Sequence, residues 1–236
     1  MLGGMTSSRD LAAFAALLAD ETRAAFALAL LDGRAWTAGE LARHGRVAPS
    51  TASEHLGKLV AGGLLTEERQ GRHRYVRLAD DRVAHLVEEL AAHASPGPVP
   101  APRSLRESTV ADALARGRTC YDHLAGRLGI TITGAMTARG LLTQDAGFAL
   151  TDRGARWFAG LGIDLSAKGR RPLVRGCLDW TERRPHLAGV AGARLCGHAL
   201  DAGWCVRIGS DRAVKVTDDG ERALHTLLDI EPGILR

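Results

Sequence analysis

Apolar positions in the first ninety residues recur with a helical period and then change to that of a hairpin. Leu11, Phe14, Leu17 and Leu18 form one stripe and Phe26, Leu30 and Leu31 another, so the spacing predicts two helices within residues 9–31. Asp20 stands where a short acceptor side chain caps the second helix, and Asp32-Gly33 closes it. A short helix over Glu40–His44 and a turn lead to a helix from Pro49, a residue suited to a first position where its missing N–H costs nothing. From Pro49 to Ala61, Ala52, Leu56, Leu59 and Val60 keep the apolar period, leaving Ser50, Thr51, Ser53, His55 and Lys58 on or near the open face. Gly62-Gly63 ends that helix, Leu64-Leu65 opens a strand, Gln70-Gly71 turns, and Tyr75, Val76 and Leu78 fill the return strand. Residues 80–94 form a further helix with Val83, Leu86, Val87, Leu90 and Ala91 on one face. Helix, turn, helix and basic hairpin together predict a winged helix-turn-helix.

Residues 95–103, SPGPVPAPR, read as a semi-rigid linker between a first domain, 1–94, and a second, 104–236. The second half repeats itself. His123-Leu124-Ala125-Gly126 recurs as His186-Leu187-Ala188-Gly189, and Thr151-Asp152-x-Gly154-x-Arg156 as Thr217-Asp218-x-Gly220-x-Arg222. The offset grows from 63 to 66 through extra residues at Gly209-Ser210-Asp211. Each copy, about 104–168 and 169–236, predicts a short helix at HLAG, a second helix ending at Gly140 or Gly203, a hairpin and a closing helix. The expected fold is thus mainly α with small β-hairpins (α+β), a winged helix-turn-helix followed by two degenerate winged-helix-like repeats.

Charge sharpens this division. The chain carries a net +4, yet residues 1–94 hold 11 basic and 12 acidic side chains and the remainder 20 and 15. A DNA contact in the first domain therefore needs a local patch, and Lys58, Arg69, Arg72, His73, Arg74 and Arg77 supply one around the Pro49 helix and the hairpin. The plain alternative is a solvated basic hairpin. The helices of the later units that correspond to the Pro49 helix are short or apolar and carry little to grip a phosphate. No apolar run is long enough for a membrane helix, and no layout of a signal peptide opens the chain. Four cysteines are too few for a disulfide scaffold, which suits free thiols in the cytoplasm. G-x-S-x-G, P-loop, dinucleotide and HExxH patterns are missing, so no enzyme is expected.

The candidate chemistry of the second half lies upstream of the two HLAG segments. Cys120 and His123 stand close together, Cys177 and His186 further apart. If the copies pack about a pseudo-twofold, the four could converge on Zn²⁺ or another thiophilic ion. The same residues would serve as a redox thiol pair, as haem ligands, or simply as core filling. Cys196 and Cys205 read as core. Trp157, Trp180, Trp204, Tyr121 and Phe148 could line an apolar effector pocket or belong to the core.

The run ELARHGRVAPSTASEHLGKLVAGGLLTEERQGRHRY, with Asp20-Glu21-Thr22-Arg23 ahead of it, resembles the ArsR/SmtB group of bacterial repressors over about residues 10–95. The resemblance implies a homodimer that binds a palindromic double-stranded operator and releases it when an effector binds. It implies base contacts from Ser50, Thr51, Ser53 and His55, phosphate contact from Lys58, and contacts to the flanking backbone or minor groove from the wing residues Arg69, Arg72, His73 and Arg74. It also implies dimer packing by Leu11, Phe14 and Leu18. The group's metal sites are incomplete here. Asp80 and His93 match one of them, but Arg82 and Pro96 replace its other ligands, and Leu41–His44 lacks the Cys pair of the second. The effector question therefore moves to the second half. Metal, haem or thiol stress is one reading and an apolar small molecule another.

Overall fold

A computed structural model of the chain describes residues 7–70, 73–94, 105–145, 147–166, 171–209 and 212–235. Its contacts divide it into two units, Met1–Val87 and Glu88–Arg236. The division falls inside a helix rather than at the proline-rich stretch 95–103, which lies outside the described residues.

The first unit contains α1 (Ser8–Ala16), α2 (Glu21–Ala29), a 3₁₀ turn (Leu30–Asp32), β1 (Trp36–Thr37), α3 (Ala38–Gly45), α4 (Pro49–Ala61), β2 (Leu65–Gln70) and β3 (His73–Leu78). Capping boxes start α1 at Ser7/Asp10 and α3 at Thr37/Glu40, and Asp20 accepts the Arg23 N–H at 3.0 Å to start α2. Pro49 is the first residue of α4, as expected. Gly63, at φ +74°, turns the chain into β2. The antiparallel sheet has the order β1-β3-β2, with β2 and β3 in register from Leu65↔Leu78 to Gln70↔His73. Phe26, Leu30, Leu41, Leu56, Leu59, Leu64 and Val76 form the core. Leu17 and Leu18 pack against it, whereas Leu11 and Phe14 stay exposed.

Helix α5 (Asp81–His93) begins with Asp80 accepting the Val83 N–H at 2.9 Å, a capping role for a residue that also fits the metal pattern. Leu90 remains exposed while Ala84, Val87 and Glu88 are buried, so the buried stripe is rotated from the one expected and includes a carboxylate. Arg183 donates to the Ala91 and Ala92 carbonyls, satisfying acceptors at the C-terminal end of the helix.

After α6 (Leu105–Arg116) the two copies follow the same plan. The first is β4 (Arg118–Cys120), β5 (His123–Ala125), α7 (Gly126–Ala138), β6 (Leu142–Thr143), β7 (Ala149–Leu150) and α8 (Asp152–Gly160). The second is β8 (Arg175–Leu178), β9 (Pro185–Ala188), α9 (Gly189–Asp201), β10 (Cys205–Arg207), β11 (Val214–Val216) and α10 (Asp218–Leu228). From Leu142 to Cys205 the offset is 63, and from Leu150 to Val216, their respective strand partners, it is 66. The HLAG segments are not helix starts. His-Leu-Ala is the return strand of a hairpin, and the glycine, at φ +71° in Gly126 and +82° in Gly189, pivots the chain into the long helix. Three apolar-flanked residues carry no period of their own, and only pairing with β4 or β8 makes them a strand. The copies share one core, in which Leu128, Ile132 and Met136 of α7 meet Leu195, Cys196 and Ala199 of α9. The repeats are thus two halves of one domain.

The repeated Thr-Asp-x-Gly has a steric origin. Thr151 and Thr217 cap α8 and α10 by accepting the Gly154 and Gly220 N–H at 2.9 and 3.0 Å. A Cβ at Gly220 would lie 2.0 Å from the Trp204 carbonyl oxygen, and one at Gly154 2.1 Å from that of Leu141. Gly220→Ala is expected to cost about 1–3 kcal/mol in urea unfolding. Gly197→Ala, on α9 with open space around its Cβ, should instead stabilise by up to about 1 kcal/mol.

Candidate DNA-reading face and a buried Cys2His2 cluster

In the first unit, α4 shows Ser50, Ser53, Glu54 and Lys58 to solvent, with Thr51 half-buried, while Ala52, Leu56 and Leu59 anchor it. No side chain caps its N-terminus. Lys58 pairs with Glu54 at 2.7 Å across one helical turn. His55 departs from the expectation of a base-facing residue. Its side chain is turned toward α2, with Nδ1 at 3.3 Å from the Arg23 guanidinium and 3.5 Å from Asp20. Arg23 also donates to the Leu17 and Ala16 carbonyls at 2.6 and 2.7 Å, so it and His55 tie α1, α2 and α4 together. On the wing, Arg69 faces Arg74 across the hairpin. Arg69 is exposed, and Arg74 is half-buried in an ion pair with Glu67. Arg72 lies outside the described residues, as does the side chain of His73.

In the second unit the four residues singled out by the repeat do converge. Cys120 pairs with His123 across the β4–β5 hairpin, and Cys177 with His186 across β8–β9. The unequal spacing in sequence disappears, because a hairpin aligns its strands whatever the length of its loop. Helix α9 packs on β5 and α7 on β9, so each long helix supports the hairpin of the other copy. Gly129 and Gly192 let each long helix lie close on its own return strand, since added Cβ atoms would come within 2.3 and 2.5 Å of the Leu124 and Leu187 carbonyl oxygens. All four side chains are at most 4% exposed. Their ligand atoms lie within 4.8 Å of one another, the two sulfurs are 3.9 Å apart as free thiols, and the imidazole centroids are separated by 5.0 Å. Four such atoms could hold one metal ion. They do not fit haem, whose macrocycle needs a slot between its axial ligands.

The electrostatics around the cluster are paired. Asp122 lies 3.3 Å from His123 Nδ1, and Asp179 3.5 Å from His186 Nδ1. The Cys177 thiol is pushed well below its ordinary range, chiefly by Cys120 and then by His123 and His186, while Cys120 is pushed up by Cys177 and by burial. Burial pushes the His123 imidazole down, but Asp122 and Cys177 outweigh it and leave it raised. In contrast, burial pushes Cys196 and Cys205 up to about 12, as befits thiols in the apolar core.

Beneath the cluster Arg118 is fully buried. It bonds Glu88 and Asp179 at 3.0 Å each, and Leu114 O and Thr181 Oγ1 at 3.2 Å each. Arg212 reaches Glu88 at 2.8 Å, and the Trp180 indole donates to Glu88 at 3.1 Å. Burial alone would raise the Glu88 carboxyl, but Arg212 and Arg118 outweigh it and hold it below the ordinary carboxylate range. Asp179 further accepts the Gly126 N–H at 2.7 Å and those of Thr181 and Glu182 at 2.9 and 3.1 Å, fixing its own loop and the start of α7. The apolar-pocket reading finds little room. The cavity beside Trp204 has a free volume of about 10 Å³, a single water at most, and Trp180 stands over Arg118 instead.

Comparison with known proteins agrees with the first unit's geometry. Residues 18–68 match a family described as a helix-turn-helix domain. The HTH-type transcriptional regulator YdfF of Bacillus subtilis is 40% identical over 225 residues, 94% of this chain and 98% of its own. The chain belongs to the HTH-type transcriptional regulators, of the ArsR/SmtB type. Over 42 residues, 18% of the chain and 31% of the relative, it is 50% identical to the HTH-type transcriptional repressor SmtB of Mycobacterium tuberculosis. A homodimeric winged helix-turn-helix DNA-binding domain from Mycobacterium bovis, 27% identical, covers 41% of the chain and all of its own, with a TM-score of 0.32.

The regulator's buried ion network escaped the sequence reading. Its one legible trace is a Cys-x-Asp repeated as Cys120-x-Asp122 and Cys177-x-Asp179, each aspartate reaching a cluster histidine. Glu88, Arg118 and Arg212 carry no local signal. Arg118→Met should destabilise the regulator by about 3–5 kcal/mol in chemical denaturation, because Asp179 would be left as a buried charge with no cation and Glu88 with Arg212 alone.

Proposed function

We propose that the regulator is a homodimeric repressor that binds a palindromic operator through α4 and the β2–β3 wing. The observation that carries this is the register of Arg69 opposite Arg74 at the wing's outer end. Like charges directly opposite one another weaken a hairpin; Glu67 offsets the charge of Arg74, and a phosphate would meet the exposed Arg69 beside it. Ser50, Thr51 and Ser53 at the start of α4 suit base edges, and the side-chain-free N-terminus suits a backbone phosphate. Lys58 would exchange Glu54 for a phosphate, while His55 acts by holding α4 against α2. Arg72 and His73 belong to the same wing contact as part of this reading. The exposed Leu11, at 64%, and Phe14 on α1 support a dimer interface. A regulator of this kind acts by binding, not catalysis, on DNA in the bacterial cytoplasm. No helix among the described residues is long and apolar enough to cross a membrane. An effector would release the operator by favouring a dimer whose α4 helices miss the half-sites.

Two measurements test this. Lys58→Ala and Arg74→Ala should each weaken operator binding across sequences and lower the slope of log affinity against log salt by about 1. Unchanged slopes would remove the wing and Lys58 from the interface. In sedimentation the native regulator should run as a dimer and Leu11→Asp/Phe14→Asp as a folded monomer. A dimer in both would move the interface away from α1.

A further inference from the structure

We propose that Cys120, His123, Cys177 and His186 bind a single tetrahedral Zn²⁺ that clamps the two copies of the C-terminal domain together. The inference concerns a site outside the DNA-reading face and does not depend on it.

Three observations identify the ion. The first is distance. Two thiolates at a zinc–sulfur length of about 2.3 Å and a tetrahedral angle lie about 3.8 Å apart. The Cys120 and Cys177 sulfurs are 3.9 Å apart, and both histidines complete the same small shell. The second is charge. The carboxylates beside the cluster each have an arginine: Asp122 has Arg171, Glu89 has Arg175, and Glu88 and Asp179 share Arg118 and Arg212. A buried site must then be close to neutral itself. Two thiolates and two neutral imidazoles are balanced by a divalent ion, whereas a univalent one leaves a net negative charge. The donor set of sulfur and nitrogen excludes Mg²⁺ and Ca²⁺, which take oxygen ligands.

The third is the second layer of contacts. Each histidine has an aspartate at its Nδ1, 3.3 Å away for His123 and 3.5 Å for His186, which leaves Nε2 as the nitrogen for the metal. His186 is fully buried, its Nδ1 faces Asp179 and its Nε2 completes no hydrogen bond. An imidazole so placed calls for a further partner, and a metal ion supplies it. The two aspartates are themselves held, Asp122 by Arg171 at 2.6 and 2.9 Å and Asp179 by Arg118, Thr181 and Gly126. With four protein ligands and no exposed position, the site is a closed, structural one rather than a catalytic one. Binding forms two sulfur–metal and two nitrogen–metal bonds, any proton still carried by the ligating sulfur and nitrogen atoms leaves to solvent, and no oxidation state changes.

The test uses the full-length, reduced chain stripped of metal. Titration with Co²⁺ should saturate at about one ion per chain, with the strong visible bands of tetrahedral cobalt and sulfur-to-cobalt charge transfer, and Zn²⁺ should displace it. Zn²⁺ should raise the melting temperature of the stripped chain by about 10 °C or more. Cys177→Ser and His186→Ala should lose the bands, and Cys196→Ser/Cys205→Ser should keep them. Should those ligand variants unfold, His186→Cys serves instead, keeping the ion and intensifying the charge-transfer band. The proposal is overturned if the folded native chain takes up no Co²⁺ or Zn²⁺, if bound cobalt is octahedral, or if Cys177→Ser retains the native spectrum. It is equally overturned if the reduced chain binds no metal and oxidation merely joins Cys120 to Cys177.

Discussion

A guanidinium taken out of water must be met by carboxylates, and the C-terminal domain is arranged around meeting the one on Arg118. Its side chain lies beneath the first hairpin with Glu88 and Asp179 against it and the Trp180 ring over it. Taking these charges out of water carries a penalty that only well-placed partners offset. The groups come from three distant places in the chain: Glu88 from the second half of α5, Arg118 from the start of β4 and Asp179 from the loop between β8 and β9. Each is therefore held in place by the need of the others. Asp179 extends the constraint, because the same carboxylate that faces Arg118 also accepts the first N–H of α7 and stands beside His186.

The duplication gives this network its symmetry. Two hairpins, each with a cysteine opposite a histidine, approach one another, and each is backed by the long helix of the other copy. The result is a polar, sulfur-rich centre inside an otherwise apolar domain. Cys196 and Cys205 show what an ordinary buried cysteine looks like in the same fold. They sit among leucines and valines, with thiols made less acidic by burial and no charged group bonded to them in the way that Asp122 and Asp179 attend the cluster. The contrast lies in the neighbours rather than in the residue type.

The N-terminal unit spends its polar residues differently. Asp20 and Arg23 have local structural duties, capping α2 and closing the end of α1, and His55 joins them there. What remains open is a stripe of small polar residues on α4 and a wing with arginines in register. Two cations of this face are held by carboxylates of the same hairpin or helix, Arg74 by Glu67 and Lys58 by Glu54, and these are partners that an anion such as DNA can replace.

Much of the first unit was legible in the chain itself. Pro49, Gly33, Gly63 and Asp20 act locally, through φ angles and caps, and the apolar period names the core from Phe26 to Val76. The repeat was legible too, and with it the four cluster residues, because duplication leaves an imprint that needs no structure to read. The HLAG segments were misread as helices because a three-residue strand has no period, and its pairing partner decides it. His55 lies on α4 where periodicity places it near the open face, but Arg23, 32 residues earlier, draws it in. The sequence by itself determined the caps, the turns and the presence of two matching halves, since these depend on neighbours within a few residues. Only the tertiary structure decided that Cys120 and Cys177 lie 3.9 Å apart over a buried Arg118. That outcome depends on strand register and on charges meeting across more than a hundred residues, from Glu88 to Arg212.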